Sequence, residues 1–222
     1  MKGQGQVPPP ELRLVAFDMD GTLVDVVSSW AEVHRHFGDS NEEALRAFMA
    51  DEIDDEEFTR RDLALWLRHK PDISRDDLVE ILAHVPLMRG ARELFERLRQ
   101  RGLTTAIVSG GLDVLAERIQ RELGVDFVFA NGFELHDGGG LARGIVRVPV
   151  KQKERVLREL QGRLGVAPGA TASVGNSEID VGLFRASRVG IAFAPDDDIV
   201  RRHATLVVEE HDLRRLIPVL AP

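Results

Sequence analysis

A chain of 222 residues, 43% hydrophobic and 30% charged, is long enough to bury one sizeable core and a small second domain. Its net charge of −8 argues against a general nucleic-acid binder, which needs a basic surface, and the absence of cysteine excludes disulfide staples and thiol chemistry. No apolar run reaches the roughly 18 to 20 residues that span a bilayer, and the opening MKGQGQVPPP lacks an apolar signal core. A cytoplasmic protein is expected, with residues 1–10 as a flexible leader.

In chain order, Leu12 to Phe17 (LRLVAF) reads as a short buried strand that surfaces in two carboxylates, Asp18 and Asp20, and a Gly-Thr turn. From Val26 to His84 apolar residues recur at helical spacing: Trp30, Val33, His34 and Phe37, then Phe58, Leu63, Trp66 and Leu67. Asp39-Ser40-Asn41, Asp54-Asp55 and Ser74 supply helix starts, so three or four short helices are expected, with no strand among them. After Pro86 strands and helices alternate. Helices are expected at Ala91–Arg101, Leu112–Leu123, Gln152–Leu164 and Ile179–Ala186. Strands are expected at Leu103–Val108, Phe127–Ala130, Thr171–Val174, Val189–Phe193 and Thr205–Val208, with a hairpin around Asp137–Gly140. This alternation predicts an α/β fold, a doubly wound parallel sheet with a small helical cap inserted after the first strand. The core is expected over 11–24 and 86–222, and the cap over 25–85. Ligands in such sheets bind beyond the carboxyl ends of the strands.

Four local patterns carry chemistry at those ends. In LVAFDMDGTLVD one carboxylate can attack phosphorus while the other exchanges a proton; alternatively the pair caps a strand and starts a turn. In AIVSGG the Ser109 hydroxyl and unhindered glycine amides before a helix can cradle a phosphate, although Ser-Gly-Gly is also ordinary turn chemistry. A lysine of VKQKERVL, Lys151 or Lys153, can neutralise phosphate and carboxylate, or can simply be solvated. In SVGNSEIDVGLF, Asn176, Glu178 and Asp180 offer oxygens to Mg2+ beside Asp18, or begin a capped helix. His34 and His36 face different sides of one helix and read as surface or packing residues. Trp30 and Trp66 read as core, or as lining for a pocket mouth. The acidic stretch Asp51–Glu57 reads as a solvated helix start, and Asp196–Asp198 as a cap for the following helix.

The order of these four patterns resembles the haloacid dehalogenase superfamily of phosphatases from about Leu12 to the C-terminus. The helical insertion stands in the place of that superfamily's small cap. IVSGGLDVLAERIQRELGVDFVFAN and IAFAPDDDIVRRHATLVVEEHDLRRLI look like its phosphoserine phosphatase branch. The resemblance implies Asp18 as nucleophile and Asp20 as general acid and then base. It implies Ser109, Gly110 and Lys153 on the phosphoryl oxygens, with Lys151 a substitute for Lys153. Magnesium would be held by the Asp18 carboxylate, the Asp20 carbonyl and the side chain at 176, with Asp180 close by. The superfamily usually has aspartate where this chain has Asn176. The branch also places a glutamate for the substrate's amino group where this chain has Val27, with Asp25 nearby. Its arginine for the substrate carboxylate aligns with Asp62, beside Arg60 and Arg61. The implied function is a magnesium-dependent phosphomonoester hydrolase for a small phosphorylated metabolite, phosphoserine first among the candidates. A sugar or polyol phosphatase, a phosphotransferase and a non-catalytic binding protein with a weakened metal site are the alternatives. Neither nucleic acid nor membrane is an expected partner.

Overall fold

The computed structural model describes residues 11–222, and the leader expected over residues 1–10 lies outside them. β1 (Leu14–Phe17) sits at the centre of a seven-stranded sheet. It is flanked in parallel by β2 (Thr104–Leu112), with Phe17 opposite Ile107, and by β5 (Thr171–Gly175), with Phe17 opposite Val174. β3 (Phe127–Leu135), β6 (Val189–Phe193) and β7 (Leu206–Val208) extend the sheet in parallel, and β4 (Leu141–Ile145) returns antiparallel to β3 as the edge hairpin. The order is β4-β3-β2-β1-β5-β6-β7. The chain thus leaves β1 in one direction to reach β2 and later crosses to the other side for β5. That reversal opens a crevice beyond the carboxyl end of β1.

β1 is wholly buried, and its side chains alternate between two cores, as strand periodicity requires. Val15 and Phe17 join the cluster formed with α5 (Ala91–Gln100), α6 (Asp113–Leu123) and α10 (Ile217–Leu220). Leu14 and Ala16 join the cluster of α7 (Lys153–Leu164), α8 (Val181–Arg185) and α9 (Asp198–His203) on the opposite face. With both faces covered, an unbroken apolar run is what a central parallel strand needs.

Between β1 and α5 the chain forms four helices, α1 (Ser29–Phe37), α2 (Glu42–Met49), α3 (Asp55–His69) and α4 (Arg75–Leu82). The expected helix starts are used. The Asp54 side chain accepts from Glu57 N, and Ser74 forms a reciprocal capping box with Asp77. The segment leaves and rejoins the sheet side by side, since Asp25 N donates to Pro86 O at 3.1 Å and Met88 N to Leu23 O at 2.8 Å. Trp30, Leu63, Trp66 and Ile73 share one cluster with Phe17 and Phe95, so these helices are packed down on the sheet. Among the described residues no helix is long and apolar enough to cross a membrane.

Two strands run past their expected ends. β2 continues through Ser109, Gly110 and Gly111 to Leu112, and its pairing with β3 shifts register between Val108 and Leu112. The glycines therefore lie in extended chain and not in a turn. Lacking side chains, they let β2 pass close to the loop after β1: a Cβ on Gly111 would stand 2.4 Å from Met19 Cε. β3 likewise runs to Leu135, because its distal half pairs with β4.

Candidate active site

Asp18 directly follows β1, and its amide is fixed by donating to Val174 O at 2.9 Å. The side chain is buried, and its Oδ1 stands 2.8 Å from Lys153 Nζ. Lys153, the first residue of α7, is itself buried and bridges to Asp180 Oδ1 at 2.7 Å. Burial alone would pull the lysine's pKa down, but the charges of Asp18 and Asp180 reverse this and hold the ammonium above its ordinary value. Lys151 is directed elsewhere. Its Nζ donates to Phe48 O at 2.7 Å and to Asp51 Oδ1 at 2.5 Å, both outside the crevice. Of the two lysines left open by sequence, the structure brings Lys153 to Asp18.

Asp20 has a different environment from Asp18. Its Oδ2 accepts from Ser29 N at 2.9 Å and Ser29 Oγ at 2.8 Å, while Oδ1 is enclosed without a hydrogen-bond partner among the described residues. Ser29 Oγ in turn accepts from Leu112 N at 3.0 Å, so α1, β2 and the loop after β1 meet at one hydroxyl. Burial pushes the Asp20 carboxyl up to about 7; the Ser29 bonds oppose the rise and the charge of Asp18 adds to it.

Parallel pairing sets Phe17 opposite Ile107, so Ser109, two residues further along β2 and buried, lies at the same end of the sheet as Asp18. Its Oγ accepts from Gly111 N at 3.1 Å, so the Gly111 amide is engaged within the loop. Gly110 O accepts from Trp30 Nε1 at 3.0 Å and from Asn131 Nδ2 at 3.3 Å, which fixes the Gly110–Gly111 peptide.

Asn176, at the end of β5, is buried against Gly21, where a Cβ would meet its Nδ2 at 2.4 Å. The positive φ of 72° at Gly21 is a second reason for glycine there. Asp180, placed by sequence close to a metal, has both oxygens engaged by the protein. Oδ1 holds Lys153, and Oδ2 accepts from Asn176 N at 3.0 Å and Ser177 N at 3.2 Å. Asp180 is thus a strut between Lys153 and the turn, and burial followed by the Asp18 charge pushes its carboxyl up. Glu178, the other candidate in this turn, contributes its amide to Asp197 Oδ2 at 2.7 Å.

The donor set suits a hard divalent cation. Asp18 and Asp180 share the Lys153 ammonium, the Asp20 Oδ1 is enclosed two residues after Asp18, and the Asn176 Oδ1 has a long 3.4 Å contact from Thr22 Oγ1. Among the described residues no three His, Cys, Asp or Glu side chains converge on a metal position. Magnesium accepts one or two carboxylates together with neutral oxygens, phosphate and water, and an amide or a main-chain carbonyl meets that need.

The residues expected to read the substrate do not join this group. Val27 is 87% exposed and Asp25 is exposed. Arg61 and Arg60 both bind Glu57 on their own helix, at 2.7 and 2.6 Å. Asp62 is fully buried between helices, 3.2 Å from His34 Nε2 and accepting from Asn41 Nδ2 at 3.1 Å. The alignment to those positions followed sequence distance, whereas helix packing turns Val27 to solvent and Asp62 into the interior. Trp30 and Trp66 are core, stacked with centroids 5.5 Å apart.

Ser29 and Asn131 were not singled out by sequence, and of the run Asp196–Asp198, expected to cap the following helix, Asp197 is the cap while Asp196 accepts from Asn176 Nδ2. Ser28-Ser29 ahead of a helical run is a cap signal that could have raised Ser29. Nothing local marks Asn131, whose role is long-range: it also donates to Val148 O and accepts from Arg147 N and Val148 N.

Comparison with known proteins agrees with this geometry. A model of the haloacid dehalogenase-like hydrolase family matches residues 15–185. A curated phosphoserine phosphatase of Idiomarina loihiensis is 34% identical over 186 residues, covering 81% of each chain. One of Wolinella succinogenes is 28% identical over 93% of this chain and 98% of its own. One of Archaeoglobus fulgidus is 30% identical over 82% of this chain, which spans about half (53%) of that relative. Among solved structures, one described as a phospho-aspartyl intermediate analogue of phosphoserine phosphatase superposes with a TM-score of 0.77 at 26% identity, covering 95% of this chain and all of the other. A substrate-bound phosphoserine phosphatase complex superposes with 0.79 at 25% identity, covering 95% and 99%. The chain belongs to the haloacid dehalogenase-like hydrolases, as an enzyme of their phosphoserine phosphatase-like branch.

Proposed function

We propose that this chain is a magnesium-dependent phosphomonoester hydrolase that works through an aspartyl-phosphate on Asp18. The observation that carries the reading is the split between the two carboxylates of one motif. Asp18 is ion-paired to buried Lys153, whereas Asp20 is held by neutral donors and pushed up to about 7. A nucleophile must be ionised and a general acid must carry a proton near neutral pH.

In the first step an Asp18 oxygen forms a bond to phosphorus as the bond to the substrate's alcohol oxygen breaks, and the alcohol takes its proton from Asp20. In the second, Asp20 takes a proton from water, the water oxygen bonds to phosphorus, and the bond to Asp18 breaks, releasing phosphate. Lys153 and the Ser109 hydroxyl hold the phosphoryl oxygens, with the Gly110 peptide alongside, and Asp180 keeps Lys153 in place. The Asp18 carboxylate, the Asp20 carbonyl and Asn176 Oδ1 would hold magnesium, which when bound supplies positive charge to the phosphoryl group.

Phosphoserine is the first substrate to assay, because the relatives are named for it. A sugar or polyol phosphate is the second reading, favoured by one observation: Arg61, Asp62 and Val27 offer the site no charge for a zwitterion. The test is phosphate release from a panel of phosphomonoesters with and without Mg2+. Asp18→Asn is expected to lower turnover by about 10⁴-fold or more. Full activity in that variant would sink the mechanism, and the leading ester decides the substrate class.

A further inference from the structure

Asn176 offers an amide at a position where the superfamily resemblance leads one to expect a carboxylate, and the structure shows what its amide does. Nδ2 donates to Asp196 Oδ2 at 2.6 Å, and the main chain doubles the link, Asp196 N donating to Asn176 O at 2.8 Å. A carboxylate has only acceptors, so it selects the nitrogen end of the amide. Oδ1 is then turned the other way, toward Thr22 in the turn that carries Asp18 and Asp20. The loop bearing Asp196 is firmly set. Ala194, buried two residues before it, holds a φ of 40°, a left-handed conformation that a residue with a Cβ adopts only under constraint. Asp197, the N-cap of α9, accepts from Glu178 N at 2.7 Å and from Val200 N at 2.7 Å. The loops after β5 and β6 are therefore pinned together by adjacent aspartates.

We propose that Asp196 is a positioning residue for the cation: it orients Asn176 Oδ1 toward the Asp18 side of the crevice and supplies the negative charge that Asn176 lacks. The inference rests on the magnesium-dependent reading above. Amide at 176 and carboxylate at 196 carry one hydrogen bond and one charge between them, and the reversed assignment would carry the same. Asn176→Asp alone sets two carboxylates against each other across a 2.6 Å contact, so a charge at 176 is tolerated only when the charge at 196 is removed. Partners that orient a metal ligand contribute about 10- to 100-fold to affinity.

The experiment is calorimetric Mg2+ titration of the full chain and of Asp196→Ala, Asp196→Asn, Asn176→Asp and the double variant Asn176→Asp/Asp196→Asn, with thermal unfolding of each in EDTA. Asp196→Ala is expected to weaken Mg2+ binding about 10-fold. Asn176→Asp is expected to lower Tm in EDTA by about 3 °C. Adding Asp196→Asn should restore that Tm, because the new amide donates to the new carboxylate, and should return Mg2+ affinity to at least the starting value. An Asp196→Ala protein with lowered Tm and unchanged Mg2+ affinity means that Asp196 only ties two loops, which overturns the inference and leaves the phosphatase reading intact. Strict additivity of the two substitutions overturns it as well. If the chain hydrolyses no phosphomonoester but the cycle and the Mg2+ affinities behave as expected, the positioning role stands and the phosphatase reading falls.

Discussion

Three aspartates of one crevice differ because their partners differ. Asp18 meets an ammonium, Asp180 meets the same ammonium and two amides, and Asp20 meets only a serine. This gives a pH dependence with a definite sign. In the metal-free protein the folded chain keeps a proton on Asp20 up to about pH 7, while the unfolded chain releases it near the ordinary carboxylate value of 3.8. The folded state therefore binds more protons over that window, and stability is expected to fall as pH rises through it, by at most about 4 kcal/mol. Urea unfolding in EDTA from pH 5 to 8 measures this; Asp20→Asn should make the profile shallower, leaving the part due to the raised Asp180 carboxyl, and an equally steep profile in that variant removes Asp20 as a source. Gly111→Ala is a second residue-scale prediction. The added methyl would stand 2.7 Å from Asp20 Oδ2 and 2.8 Å from Ser29 Oγ, so it must part that pair. The expected loss in kcat is about 100-fold, as for a roughly 1 Å misplacement, and unimpaired kcat would show that the Asp20–Ser29 geometry is dispensable.

At the scale of elements, polar links tie α1–α4 to the rest of the chain, and those nearest the crevice come from α1, α2 and α3. Ser29 and Trp30 of α1 reach Asp20 and Gly110, Asp55 at the start of α3 accepts from Val150 N at 2.8 Å, and Lys151 ties Phe48 and Asp51 to the segment just before α7. Asp55 and Asp51 are therefore fastenings, where the acidic stretch alone suggested a solvated helix start. Lys151→Ala is expected to raise KM about 5-fold through looser closure, with a stability loss below about 1 kcal/mol because the pair is exposed. Initial-rate kinetics with hydrogen exchange over α2 checks it; unchanged exchange there would remove Lys151 as a latch.

At the scale of the molecule, the crevice concentrates negative charge that folding alone leaves poorly balanced, and a cation should bind the folded chain in preference to the unfolded one. At Mg2+ about 100 times its Kd the linkage amounts to about 2.7 kcal/mol, or roughly 5 to 10 °C in Tm for a chain of this size. A scan with and without EDTA reads this directly. Insensitivity of Tm to millimolar Mg2+ would mean that Asp18, Asp20 and Asn176 do not hold the ion.

Alternation of apolar runs with helical spacing is local information, so the sheet, an insertion of three or four helices and the carboxyl-end placement of Asp18, Asp20 and Ser109 were legible in the sequence. The two-residue spacing in DxD also guaranteed two carboxylates at one strand end. Contacts between residues far apart in the chain were not legible. Lys153 over Lys151 was decided by the direction of two side chains across one helical start, and the exclusion of Val27 and Asp62 by how α1 to α3 pack. The Asn176–Asp196 pair is separated by 20 residues and joins the loops that follow β5 and β6. A sequence states which groups exist and how they repeat, because side-chain periodicity follows from backbone geometry; which group meets which is a property of register and packing, and only the folded chain determines it.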